Sequence, residues 1–189
     1  PGLPAAIEWL SNNHPGRFTQ VLRHGDFRIG NILVHQGRVT GILDWEFAGW
    51  GAAMEDIGWL TARCWRFGKD EHEVGGIGHL ADFREAYDET AASPVEWDTL
   101  PYWQALATVR WAIIAACQGK RADQGGEPAE ELRLTGQKAW EIAHDALRRI
   151  IELDDGVQTS MSADLASLID GLKVRNPDYL ETGRFSQPR

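Results

Sequence analysis

Asp26, Asn31 and Asp44 are the residues of this chain whose types and spacing could do chemistry. Asp26 and Asn31 lie in Val21-Leu22-Arg23-His24-Gly25-Asp26-Phe27-Arg28-Ile29-Gly30-Asn31, and Asp44 lies in Ile42-Leu43-Asp44-Trp45-Glu46. Phosphoryl transfer needs few protein parts: one carboxylate to orient a hydroxyl, and oxygen ligands to hold Mg²⁺ on the phosphates. Asp26 fits the general base, because a base must reach the hydroxyl that it deprotonates and a short loop beside a strand is a suitable seat. Asn31 offers a neutral amide oxygen, a hard ligand that adds no negative charge, and Asp44 offers a carboxylate able to bridge metal and phosphate oxygens. Read singly, the same residues could be turn formers and a strand-end cap. It is the three together, at this spacing, that point to a site.

The elements that must position them follow from pattern. Residues 31–35 and 38–43 read as two strands joined at Gln36-Gly37, where a glycine supplies the positive φ of a tight hairpin turn. That hairpin brackets its ends with Asn31 and Asp44 and can bring them together. Residues 5–13 read as a short helix and residues 18–22 as a strand-like run. Ile57, Leu60, Cys64 and Phe67 fall on one face of a helix. A further helix is expected between Leu80 and Thr90, after a loop containing Gly75, Gly76 and Gly78. Ser93-Pro94-Val95-Glu96 has the form of a helix start, with a capping serine, an N1 proline and a capping-box glutamate. That helix is expected to run to about Gln118 and stop near Gly119, followed by a loop over residues 123–126. Residues 128–153 read as a long helix, weakened at Gly136 by about 1 kcal/mol relative to alanine, and residues 163–174 as a weaker one. The fold class is α+β, mostly helical, with a small β-hairpin at the site.

Composition narrows the function. The chain has 189 residues, 43% of them hydrophobic and 25% charged, as expected of a single soluble domain with a sizeable core. No run of apolar residues is long enough to span a bilayer, so no membrane partner is expected. The first residues lack the pattern of a signal peptide. The two cysteines sit among apolar helical residues, which suits a reducing, cytoplasmic setting. A net charge of −9 disfavours nucleic acid as a partner and allows a cationic substrate. Nine tryptophans are many for this length. Trp59, Trp65, Trp103, Trp111 and Trp140 fit core positions, whereas Trp45 and Trp50 flank the acidic segment and could line a cleft. His72 and His79 with Glu71, Glu73 and Asp82 could suggest a zinc site, but intervening glycines break the ligand spacing.

His24-Gly25-Asp26-x-x-x-x-Asn31 resembles the catalytic loop of the aminoglycoside phosphotransferase and choline kinase-like family, similar in layout to the protein-kinase loop His-Arg-Asp-x-x-x-x-Asn. Ile42-Leu43-Asp44-Trp45-Glu46 resembles that family's metal-binding segment. The continuation through Phe47-Ala48-Gly49-Trp50-Gly51 and Glu55-Asp56-Ile57-Gly58-Trp59 is similar to phosphotransferase domains related to those fused to acyl-CoA dehydrogenases. The resemblance covers residues 18–67. It implies the C-terminal lobe of a kinase-like fold over residues 1–153, with the catalytic loop at 21–31, the metal segment at 42–46, a helical substrate region at 52–153 and a weakly helical tail at 154–189. It implies an enzyme, a cytoplasmic small-molecule kinase that uses ATP and Mg²⁺ to phosphorylate a hydroxyl, on an aminoglycoside-like or other acceptor. By position, Asp26 would be the base, and Asn31 and Asp44 the metal ligands. Arg28 would touch the transferring phosphate. Glu46 would serve metal or substrate. His24 would hold the loop by hydrogen bonds, and Asp56 would brace it from the next helix.

Two departures stand out. Ala52-Ala53 replaces the Asp-Pro pair often found before that helix. No glycine-rich phosphate loop or strand lysine is present, since the four lysines, Lys69, Lys120, Lys138 and Lys173, lie outside the strands. An N-terminal nucleotide lobe is therefore absent from these residues, and the fragment alone is expected to be a poor catalyst. Two other classes stay open: a metal-dependent phosphoesterase, which would want more histidine ligands, and a non-catalytic kinase-like binding module.

Overall fold

A computed structural model describes residues 3–124 and 129–153 of the chain. The helix expected at 163–174 lies outside them. The chain divides into two units, one formed by His14–Ala107 and the other by the described parts of Pro1–Asn13 and Thr108–Arg189.

The first unit holds both acidic segments. Strand β1 (Gln20–Arg23) enters the loop carrying His24 and Asp26. Strands β2 (Ile32–His35) and β3 (Arg38–Ile42) form the expected hairpin, with Ile32 opposite Ile42. Its turn works as anticipated: Gln36 and Gly37 both adopt positive φ, at 49° and 74°, the combination whose twist matches a two-residue hairpin. A fourth strand, β4 (Gly49–Ala52), pairs antiparallel with β1, so two small two-stranded sheets flank the loop. Sequence reading missed β4 because Gly49-Trp50-Gly51 carries little strand propensity. Its pairing is set by the partner strand.

Helix α2 (Ala53–Thr61) stops sooner than the apolar period suggests. Its last carbonyls are taken by tertiary donors, the Arg66 guanidinium to Thr61 O at 3.0 Å and Gly75 N to Leu60 O at 3.1 Å. Cys64 falls in a short 3-10 turn, and Phe67 adopts a left-handed backbone at φ 53°. Helix α3 (Leu80–Thr90) matches its expected bounds. Helix α4 (Leu100–Gln124) begins later than the Ser93 signal implies and runs past Gly119. A 3-10 turn at Trp97–Thr99 precedes it. There the Thr99 hydroxyl donates to Glu96 O at 2.6 Å, and the Trp97 indole N–H donates to Asp88 at 2.8 Å. These bonds anchor the segment against α3 in a non-helical path.

The core of this unit is Ala52, Met54, Ile57, Leu100 and Trp103, with Leu80, Phe83, Tyr87 and Trp97 packed around it. Each large side chain contributes about 1.5–3 kcal/mol on burial. Gly58 allows the closest approach: a Cβ there would lie 2.6 Å from Trp103 Cβ. This contact places α2, and with it Asp56 and Trp59.

In the second unit, helix α1 (Leu3–Asn12) packs on helix α5 (Ala129–Leu153). Ala112, Ala115, Ala139, Ile142 and Ala143 form its core. Gly119 and Gly136 meet backbone to backbone. Gly119 is therefore a point of close helix approach and not a helix stop. His144 and Asp145 are buried here, and the His144 Nε2 has no hydrogen-bond partner. Burial, helped by Arg148, lowers the His144 pKa below its ordinary 6.5, although Asp145 opposes this. The unfolded chain then binds the extra proton at a pH where the folded chain does not. Stability is full above about pH 6.5, falls as the pH drops below it, and levels off once folded His144 itself protonates. Replacing His144→Leu should flatten this part of a stability-against-pH curve measured by urea unfolding. An unchanged slope would contradict the account.

Candidate active site

The loop after β1 is held from behind. Asp56 of α2 accepts the His24 N–H at 2.6 Å on one carboxylate oxygen and the Gly25 N–H at 2.8 Å on the other. Gly25 has φ 83°, and a Cβ there would collide with Phe47 O, so glycine is required on both counts. The buried His24 imidazole joins the two acidic segments. Its Nδ1 accepts the Asp26 N–H at 3.1 Å, and its Nε2 lies 2.7 Å from Leu43 O. Nδ1 can accept only as the neutral ring, which leaves Nε2–H to donate to the carbonyl. Both ring nitrogens are thus engaged, and neither is free for a metal. The Trp45 ring packs on His24 with centroids 4.7 Å apart.

Asp26 is a heavily contacted carboxylate. Asn31 Nδ2 donates to its Oδ2 and to its main-chain oxygen, each at 2.9 Å. Arg28 Nε also reaches Oδ2, at 3.2 Å. The Trp59 indole N–H donates to Oδ1 at 2.8 Å. Asn31 is almost wholly buried, at 2% exposure. Its amide hydrogens are committed to Asp26. Among the described residues no donor reaches its carbonyl oxygen, the atom left to meet a cation.

Asp44 closes the hairpin one step beyond the bond from Leu43 N to Asn31 O, at 2.8 Å. It holds a left-handed backbone, φ 61° and ψ 55°, and opens a 3-10 turn over Trp45–Phe47. Aspartate tolerates this region better than most residues, yet strain of about 1 kcal/mol or more remains. Asp44 and Glu46 are exposed, and neither carboxylate has a hydrogen-bond or ion-pair partner among the described residues. Asn31, Asp44 and Glu46 each carry an oxygen of the hard type that Mg²⁺ selects. No group of three His, Cys, Asp or Glu side chains among the described residues could hold a metal, which removes the zinc reading of His72 and His79. Those two rings meet edge-on, with centroids 4.9 Å apart.

Arg28 lies against Asp26 and over the Trp65 ring, at 5.4 Å from its centroid. A cavity of about 900 Å³ takes in His24, Phe27, Trp45 and Asp56, but not Asp26, Asn31 or Asp44. Its walls are largely apolar, with Phe18, Val21, Met54, Ile57 and Phe83 among them. Of the tryptophans, Trp59, Trp65 and Trp103 are buried, as expected, and Trp45 and Trp50 are exposed. Trp59 is nevertheless more than core, since its N–H reaches Asp26. Nothing in the helical pattern signals that bond, which spans 33 residues of sequence.

The model of the phosphotransferase enzyme family matches residues 1–93, the segment that contains this entire cluster. Over those residues, the chain is similar to that family. It is 28% identical over 195 aligned residues to the acyl-CoA dehydrogenase IBR3 of Arabidopsis thaliana, an alignment covering 90% of this chain and 24% of that protein. It is 39% identical over 87 residues to acyl-CoA dehydrogenase family member 11 of Gallus gallus, covering 44% of this chain and 11% of that one. The chain thus spans about a quarter or less of these curated relatives. In structure it is similar to a Ralstonia eutropha protein assigned as an aminoglycoside phosphotransferase, with a TM-score of 0.66 and 24% identity. That match covers 80% of this chain and 49% of the other, and it shows the kinase-like fold. No helix among the described residues is long and apolar enough to cross a membrane.

Proposed function

We propose that this chain serves an ATP- and Mg²⁺-dependent kinase that moves the γ-phosphoryl group to a hydroxyl of a small molecule. The observation that carries the reading is the engagement of Asn31: its N–H₂ fixes Asp26, and no donor among the described residues takes its oxygen. Asp26 is the base that takes the acceptor's proton. Asn31 and Asp44, with Glu46 in reach of metal or substrate, hold the ion, which neutralises charge developing on the phosphates. Arg28 supplies positive charge next to the base and contacts the transferring phosphate. His24 and Asp56 keep the loop in shape. Positioning and electrostatics do most of the catalytic work in such a site. The glycine-rich loop and lysine that cover a nucleotide are supplied by sequence outside these 189 residues.

The engagement of both His24 nitrogens speaks against a dinuclear phosphoesterase. An intact, unpartnered Asp44 speaks against a module that has lost its chemistry. For the acceptor, the relatives' dehydrogenase names support an acyl-bearing hydroxy compound ahead of a polycationic aminosugar. The test is transfer of label from γ-labelled ATP by the full-length polypeptide, with and without Mg²⁺, against a panel of hydroxyacyl compounds and aminoglycosides. Labelled product that needs Mg²⁺ is expected. A tightly bound pair of transition-metal ions, with phosphoester hydrolysis and no transfer, would overturn the reading.

A further inference from the structure

The two oxygens of Asp26 are not equivalent. Oδ2 receives two donors, the Asn31 amide and the Arg28 Nε, which fill its lone-pair sites. Oδ1 receives one, the indole N–H of Trp59, and keeps a site open. Trp59 is 3% exposed and fixed on α2. The ring of Trp65 packs against it, centroids 5.5 Å apart, and the Arg28 guanidinium lies over Trp65. Arg28 then returns to Asp26. Asp26, Trp59, Trp65 and Arg28 thus form a closed circuit around one carboxylate. Behind it, Gly75, at a positive φ of 58°, packs against Ile29 of the same loop so closely that a Cβ would collide with the Ile29 side chain.

Resting on the function proposed above, we infer that Trp59 is a positioning residue that selects Oδ1 as the proton-accepting oxygen of Asp26. In the step it serves, the acceptor's O–H bond breaks and the proton goes to Oδ1. The freed oxygen pair forms the new bond to the γ-phosphorus of ATP. The bond from that phosphorus to the bridging oxygen breaks, and its electron pair leaves with ADP. The indole N–H holds the carboxylate plane so that the open site of Oδ1 faces the acceptor.

Two measurements test this. In the full-length polypeptide, Trp59→benzothienylalanine keeps the ring's size and shape and puts sulfur where the N–H was. It should lower kcat by about tenfold to a hundredfold, a share of what a general base contributes, while KM for ATP stays within about twofold. A residue needed only for packing would leave kcat unchanged, and that result would overturn the inference. In the 189-residue chain, the Trp59 indole N–H signal in a ¹⁵N-correlated spectrum should move in Asp26→Asn. An unmoved indole signal alongside intact transfer would overturn this inference alone. A full-length protein with no transfer at all would overturn the proposed function as well.

Discussion

Replacing Asp26→Asn in the full-length polypeptide should cut kcat by about 10²–10⁴-fold, the range expected for loss of a general base. The substitution keeps size and shape, and Trp59 can still donate to an amide oxygen. Nucleotide affinity should survive, because nothing in the proposal gives Asp26 a role in binding phosphates. A kcat loss with KM for ATP within a few-fold is the signature of an interaction made only in the transition state. Equal turnover in the variant would remove Asp26 from its role.

The second large effect belongs to Asp56, which has no contact with reactants in this account. Asp56→Ala strips acceptors from two backbone N–H groups, those of His24 and Gly25, at a point where Gly25 has no freedom to move. Hydrogen bonds to a charged acceptor are worth about 1.5–3 kcal/mol each, so a loss of about 3 kcal/mol or more is expected. Urea unfolding should show a lower midpoint with an unchanged slope. Asp56→Asn keeps one good acceptor and should fall between the two. An alanine variant as stable as the parent would show that the loop holds its shape without this brace.

The legible parts of the site were local in sequence. A hairpin with Gln36-Gly37 at its tip carries its own turn chemistry, so Asn31 and Asp44 could be placed at its two ends from pattern alone. The illegible parts were set by distant partners. Trp59 looked like core because helical spacing reports burial and is silent on where an indole N–H points. The start of α4 was misplaced because Ser93-Pro94-Val95-Glu96 satisfies every local rule for a cap, while Trp97 is drawn to Asp88, Phe83 and Tyr87. Gly119 looked like a stop because the signal of a C-terminal glycine and that of a close helix crossing are the same residue. Only its meeting with Gly136 separates them.

One divalent ion held between Asn31 and Asp44 is the centre of the proposed chemistry. The most direct measurement is paramagnetic broadening of NMR signals of the 189-residue chain by substoichiometric Mn²⁺, the metal alone. The side-chain amide of Asn31 and the signals of residues 43–46 should broaden before any others, and Asp44→Ala should restore them. Broadening that begins elsewhere, such as at the acidic start of α5 near Glu130 and Glu131, with Asn31 left sharp, would contradict it.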